Sequence, residues 1–363
     1  MKRKISMLAC ALLIGVATLA GCSKANDKVS SEVTVTPVET ITETITPTEE
    51  ATKEPTKEES QEVDKEKLSI SIAGLKGPTS MGLVSMIDLS EQGKTANNYD
   101  LTVAGVADEI TAGIIKGDYA VASIPCNLAA VLYAKSNGAI KVAGINTLGV
   151  LCIVETGDTI HSVADLKGKT IYSTGKGTTP EYTLNYLLRS YGIDPEKDVT
   201  IEYKSESTEI AAMLSESDNA IAMLPQPYVT TVMMNNEKVR IALDIAKEWE
   251  AVSDNGSSLI TAVTVVNTDF LNENKDAVHA LLAEYVDSVN YANTEVDATA
   301  ELIEKYGIMK KPVAMKALPE CNIVMIQGEE MKAKVNGYLQ VLFDQDSNSV
   351  GGSMPDDNFY YIP

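Results

Sequence analysis

From Leu68 onward the chain alternates short strand patterns with helix-length apolar-periodic stretches, and it runs through this alternation twice. Leu68-Ser69-Ile70-Ser71-Ile72 alternates as a strand and leads into Gly77-Pro78-Thr79-Ser80, after which Met81, Val84, Met86 and Ile87 recur at helical spacing. Strand Tyr99–Gly105, a helix near 107–116, strand Tyr119–Ile124 and a helix after Pro125 complete a first unit. Lys141–Glu155 is a nearly continuous apolar run broken by glycines, read as two strands with a bend. The alternation then restarts with strand Lys169–Ser173, a helix from about Pro180 to Tyr191, strand Val199–Tyr203, a helix over 207–216, and strands at Asn219–Leu224 and Arg240–Asp244. A further β-rich run covers Leu259–Val266, and residues 273–346 are mostly helical in pattern. Strands separated by helices of this length build βαβ units around a parallel sheet, so the class is α/β. Two such units, with chain left over to return to the first, are expected.

The N-terminus gives an address. Lys2, Arg3 and Lys4 precede an apolar run ending in Leu19-Ala20-Gly21-Cys22. Small residues before a cysteine at that point resemble the lipobox of bacterial lipoproteins. The resemblance implies a signal peptide over 1–21 and lipidation (palmitate among the acyl chains) at Cys22. Residues 22–67 are rich in Thr, Glu, Pro, Ser and Lys and contain no aromatic residue. They bury too little apolar surface to offset chain ordering and read as a disordered acidic tether. The folded body would then sit outside the cytoplasmic membrane, held to it by acyl chains and not by a spanning helix.

Composition narrows the chemistry. The 363 residues allow one large or two medium domains. A formal charge of −21 disfavours nucleic acid, whose phosphates it would repel, and a polybasic membrane surface. Of the five cysteines, Cys10 would leave with the signal. Cys126, Cys152 and Cys321 remain, widely spaced, with no CxxC pattern; a pair could bridge, but buried small hydrophobes are the simpler reading. The two histidines, His161 and His279, lie beside no candidate nucleophile or ligand cluster. No metal and no cofactor are expected.

Two junctions share a design. Gly77-Pro78-Thr79-Ser80 and Gly175-Lys176-Gly177-Thr178-Thr179-Pro180 each follow a strand and open a helix. Glycine lets backbone approach a ligand, Ser/Thr hydroxyls add donors, and the unpartnered N–H groups of a helix start favour anions or strong acceptors. The second is neither a Walker loop nor GxGxxG, so ATP binding is unsupported. Lys76 and Lys176 could add charge, or be solvated surface. Two strand-ending turns, Pro125-Cys126-Asn127 and Pro225-Gln226-Pro227-Tyr228, would face the same crevice, since ligands of open α/β sheets bind beyond the carboxyl ends of the strands. The prolines could equally do no more than end the strands. Lys76, Gly77, Thr79, Ser80, Pro125, Asn127, Gly175, Gly177, Thr178, Thr179, Gln226 and Tyr228 form the candidate ligand set. With one Trp and three Phe a deep aromatic box is not expected, though Tyr172, Tyr182, Tyr203 and Tyr228 could stack on a flat ring.

Ile153-Val154, Asp165-Leu166-Lys167-Gly168-Lys169-Thr170-Ile171, Gly175 to Leu184, and Tyr191-Gly192-Ile193-Asp194-Pro195 resemble the solute-binding proteins of nitrate/sulfonate/taurine-type ABC importers, a group with thiamine-pyrimidine relatives. The resemblance covers most of 68–310. It implies a type II periplasmic-binding-protein fold, with two α/β lobes joined by crossing hinge strands: 68–155 plus 255–363 as lobe one and 156–254 as lobe two. It also implies a small organic solute, anionic or strongly hydrogen-bond accepting, an ABC permease as partner, a monomer, and no enzymatic activity. Lys76–Ser80 departs from the sulfonate binders. The alternatives are an enzyme of pyrimidine or menaquinone precursor synthesis on the same fold, or a sensor presenting ligand to a membrane receptor. The pyrimidine synthases need a histidine and a cysteine-rich motif that do not appear.

Overall fold

The computed structural model describes residues 67–363. The signal peptide, Cys22 and the tether therefore lie outside the described residues, apart from Lys67 at the tether's end.

Eleven strands form two sheets: β1 (Ser69–Leu75), β2 (Asn98–Ala104), β3 (Val121–Pro125), β4 (Ile140–Leu148), β5 (Leu151–Glu155), β6 (Thr170–Ser173), β7 (Thr200–Tyr203), β8 (Ile221–Pro225), β9 (Arg240–Asp244), β10 (Ile260–Asn267) and β11 (Ile323–Ile326). The first sheet has the order β11-β4-β10-β3-β1-β2 and the second β7-β6-β8-β5-β9. Leaving aside β11, the two orders are the same. In each lobe the first strand lies between the second and third, and one antiparallel strand separates the third from the fourth. That strand is β10 in the first sheet, antiparallel to both β3 and β4. In the second sheet it is β5, antiparallel to both β8 and β9.

Each of these inserted strands reaches its sheet from the other lobe. β4 ends the first sheet's run and the chain crosses at Gly149-Val150 into β5. β9 ends the second and, after helix Ile245–Val252, the chain crosses back into β10. The expectation that Leu151–Glu155 stays with the first lobe is corrected by this pairing: Cys152 lies opposite both Leu224 and Asp244 in the second sheet. The apolar run 141–155 reads alike in either sheet, because a strand buried on both faces carries no alternation to mark its partner.

The two crossings touch. A Cβ built on Gly149 would stand 2.6 Å from Leu259 Cδ2 and 3.0 Å from Ala246 Cβ, so only a glycine lets these segments pass at this distance. One continuous buried cluster runs through both lobes, including Ile124 and Val263 of the first sheet and Ile153 and Ile171 of the second. Trp249, fully buried, lies within it. Its ring centroid is 4.3 Å from that of Tyr186 and 5.6 Å from that of Tyr338, and its Nε1–H donates to Ser257 Oγ at 3.0 Å. Tyr186 comes from helix Thr179–Ser190 of the second lobe and Tyr338 from helix Gly328–Gln345 of the first. The same two helices are joined by Arg189 Nη1–H donating to Gln345 Oε1 at 3.1 Å and Gln345 Nε2–H to the Tyr182 carbonyl at 3.0 Å.

The region read as mostly helical contains β11, which pairs with β4 and is too short to stand out by pattern. The C-terminal segment folds back onto the first lobe. Tyr361 N–H donates to the Val142 carbonyl at 2.8 Å, and Phe359 is buried with its ring 5.0 Å from Tyr133.

The second lobe contains one buried carboxylate, Glu155, at the end of β5. Burial pushes its pKa up, but the N–H groups of Ile160 and Thr159, the Thr159 hydroxyl and Arg240 outweigh this and hold it below the ordinary 4.5. Arg240 pairs with Glu155 and also reaches Asp158 at 2.9 Å. A carboxylate depressed in the fold stabilises above its unfolded pKa, and that contribution is lost as pH falls through the folded value. Glu155→Gln should therefore lower the melting temperature at pH 7 and flatten its decline below pH 4.5, the ordinary value for this group; calorimetric melts across pH 3–7 would measure both.

Candidate functional site

The carboxyl ends of β3 and β8 face a cleft of about 390 Å³. One wall is the first lobe's Pro125, Asn127 and Leu128, the other the second lobe's Thr178, Thr179, Pro180 and Pro225. Its floor is made by the two crossings, through Val150-Leu151 and Leu259-Ile260-Thr261. Depressions of about 420 and 550 Å³ occur elsewhere, but they open at the amino ends of β6 and β8 and of β1 and β2 respectively. In open α/β sheets the ligand crevice lies at the opposite ends of the strands, where a smaller cavity of about 310 Å³ beside Gln226, Lys316 and Glu320 also opens; the cleft is the larger of these two and takes its floor from both crossings.

Pro125, Asn127, Thr178 and Thr179 of the candidate set are brought together here. β3 stops at Pro125, and the helix Cys126–Lys135 that follows places Asn127 in its first turn. Helix Thr179–Ser190 starts opposite, with Pro180 in its first turn. Thr179 Oγ1–H donates to Asn127 Oδ1 at 3.3 Å, a hydrogen bond from one lobe to the other. Asn127 Nδ2–H donates to the Ser349 carbonyl at 3.4 Å.

The loop before this helix turns on Gly175 and Gly177, with φ of +73° and +74°, a region that costs other residues energy. Neither glycine lines the cleft. Thr178 Oγ1–H donates to the Gly175 carbonyl at 2.6 Å, and Gly177 N–H donates to Glu181 Oε2 at 2.5 Å. Lys176 is exposed, with Nζ 5.9 Å from the centre of the Tyr203 ring.

The first junction is built differently. Its helix, Pro78–Met81, is one turn long, and Gly82 ends it against Ile323 and Val289. Thr79 Oγ1–H and Ser80 Oγ–H both turn back to the Leu75 carbonyl, at 3.0 and 2.7 Å. Both residues are buried, and neither they nor Gly77 line the cleft. Lys76 is exposed and likewise away from the wall. Gln226 is buried, and its Oε1 accepts from the N–H and hydroxyl of Thr230 at 3.2 and 2.8 Å, so it caps its own helix, Tyr228–Asn235. Tyr228 is 39% exposed and off the cleft.

The floor residues were not among the candidates. The bend in the apolar run at Gly149 and the restart of apolar sequence at Leu259 after a polar loop are the signals that mark them. Behind the Thr179 wall, Tyr338 and Thr183 are fully buried, and their hydroxyls stand beside one another and beside that of Thr179. Burial drives the Tyr338 pKa far above its ordinary value. Burial likewise pushes the Cys126 thiol well up, while Cys152 and Cys321 are pushed up to about 12; all three are free and buried. Among the described residues no Asp, Glu, His, Cys, Lys or Arg lines the cleft, and no group of three or more His, Cys, Asp or Glu is placed to hold a metal. The arrangement can enclose a small molecule and offer it a few neutral polar groups.

Comparison with known proteins agrees with this geometry. Residues 119–297 match the family model described as NMT1/THI5 like. In structure the chain is similar to an ABC transporter protein from Parabacteroides distasonis, with a TM-score of 0.68, 23% identity, and coverage of 81% of this chain and 98% of that one. It is also similar to the periplasmic aliphatic sulphonate binding protein SsuA from Escherichia coli, with a TM-score of 0.65, 16% identity, and coverage of 81% and 92%. A desulfurization enzyme, DSZB, shares the fold at a TM-score of 0.56 and 13% identity, covering 82% of this chain and 97% of that one. By sequence, a Brucella abortus (strain 2308) protein named as a binding protein is 26% identical over 219 residues, 59% of this chain. The match spans 65% of that relative's length. The fold is thus the type II periplasmic-binding-protein fold expected from the sequence. The match to the NMT1/THI5 like model is confined to residues 119–297, from β3 through β10 and into the helices that follow.

The Thr179–Asn127 bond joins the lobes, so its removal should show in stability. Thr179→Val, which keeps the shape, should cost about 0.5–1.5 kcal/mol in urea unfolding, and a cycle with Asn127→Leu should show coupling of similar size.

Proposed function

We propose that this protein is a solute-binding lipoprotein of an ABC importer. It stands outside the cytoplasmic membrane on acyl chains at Cys22, with residues 22–67 as its tether. It captures a small organic molecule between its lobes and presents it to a membrane permease. The observation that carries this reading is the cleft itself: its walls come from both lobes and its floor is the pair of crossing segments. A ligand shifts a hinged pair of lobes only through contacts that differ between open and closed states, and contacts to both lobes meet that condition. The neighbours named as an ABC transporter protein and a periplasmic binding protein support the same role. Among the described residues no helix is long and apolar enough to cross a membrane. The wall composition favours binding over the enzyme alternative, since it offers no acid–base pair and no thiolate.

Small molecules released by denaturing the purified protein, identified by mass spectrometry and titrated back by calorimetry, test the capture role. Thr178→Ala with Thr179→Ala should weaken rebinding at least tenfold while leaving the protein folded, as judged by fluorescence of its lone tryptophan, Trp249. Unchanged affinity would remove this wall from the site. Cys22→Ala should shift the protein from the membrane fraction to the soluble one and abolish labelling by a palmitate analogue; persistence of either signal counts against the anchor.

A further inference from the structure

Resting on that capture role, we propose that the solute is uncharged: a small neutral molecule, largely hydrocarbon or aromatic, with one edge that both donates and accepts hydrogen bonds. This replaces the anion or strong acceptor expected from the two helix starts.

The first argument is the wall. The lining is mainly apolar, with Leu128, Val150, Leu151, Leu259 and Ile260 beside three prolines, and among the described residues no cation lines the cleft. An anion moved from water onto such a surface loses hydration and gains no opposite charge in return. A volume of about 390 Å³ lies toward the lower end of the roughly 300–1,000 Å³ typical of small-molecule sites.

The second argument is the helix start. The first turn of Thr179–Ser190 carries the positive end of a helix dipole, worth about half an elementary charge. The protein places its own carboxylate there. Glu181 sits in that turn and accepts the Gly177 N–H. Asp346 approaches from the other lobe and accepts the Tyr182 hydroxyl at 3.1 Å. A visiting anion would meet these charges in addition to an overall charge of −21. Lys176, which could oppose them, lies instead over the Tyr203 ring.

The third argument is the polar edge. An Asn amide has two donors and an acceptor oxygen with two lone pairs. Asn127 engages these in only two long contacts, 3.3 and 3.4 Å. Unsatisfied neutral dipoles of both senses are met by a neutral donor–acceptor edge such as a primary amide, not by an acceptor-only anion.

Matched pairs distinguish these cases: nicotinamide with nicotinate, benzamide with benzoate, and benzenesulfonamide with benzenesulfonate, each titrated by calorimetry into the purified full chain. The neutral member should bind at least tenfold more tightly in every pair that gives saturable binding. Thr179→Val should weaken the neutral member at least fivefold, and Glu181→Gln should raise the affinity for the anion at least threefold. Tighter binding of an anion in any pair overturns the charge class and leaves the capture role standing. Absence of saturable binding in all pairs, together with no solute released from the purified protein, overturns both.

Discussion

The structure depends on an exchange of strands between its lobes. Each sheet is completed by an antiparallel strand, β10 or β5, that arrives from the other side, and each such strand supplies two ladders of its sheet. Without β10, β3 and β4 would have no common neighbour and the first sheet would fall into separate parts. The same would hold for β8 and β9 without β5. The exchange also fixes where the two crossings lie. They pass each other at the carboxyl ends of β3 and β8, with Gly149 against Leu259, and so become the floor of the cleft. Architecture and site thus follow from a single topological constraint.

Above that floor the chemistry is sparing. The Thr179 hydroxyl and the Asn127 amide meet across the lobes, and among the described residues no charged side chain lines the cleft. Glu181 and Asp346 stand outside the lining, where they stabilise the loop and the helix contact that hold the second lobe's wall in position. The fold is shared with a sulphonate binding protein and with a desulfurization enzyme, which fits the general rule that function resides in the site and not in the scaffold.

Much of this was legible in the sequence, and the boundary of legibility is physical. For the helix over 207–216 and strand Arg240–Asp244 the predicted and observed bounds coincide, because local periodicity and flanking polar residues decide them. The two-unit plan was legible for the same reason. The sheet to which Leu151–Glu155 belongs was not, since its partners are far away in sequence and its burial on both faces leaves no pattern. The likeness of the two junctions was real at the level of motif and failed at the level of side chains. Thr79 and Ser80 turn inward because their helix is a single turn wedged under Ile323 and Val289, neighbours that no local pattern reveals. Thr178 and Thr179 open a three-turn helix that reaches the other lobe, and they stay at the cleft.

The strand exchange also sets an order of events during folding. When the first lobe's own β1 to β4 have been made, β3 still has an unpaired edge, and the strand that will cover it lies beyond the whole of the second lobe. An exposed edge invites pairing with another chain, and contacts between segments so distant in sequence form slowly. The first half of the molecule is therefore an aggregation hazard until its second half exists, whereas the second sheet, β5 to β9, comes from one continuous stretch, Leu151–Asp244.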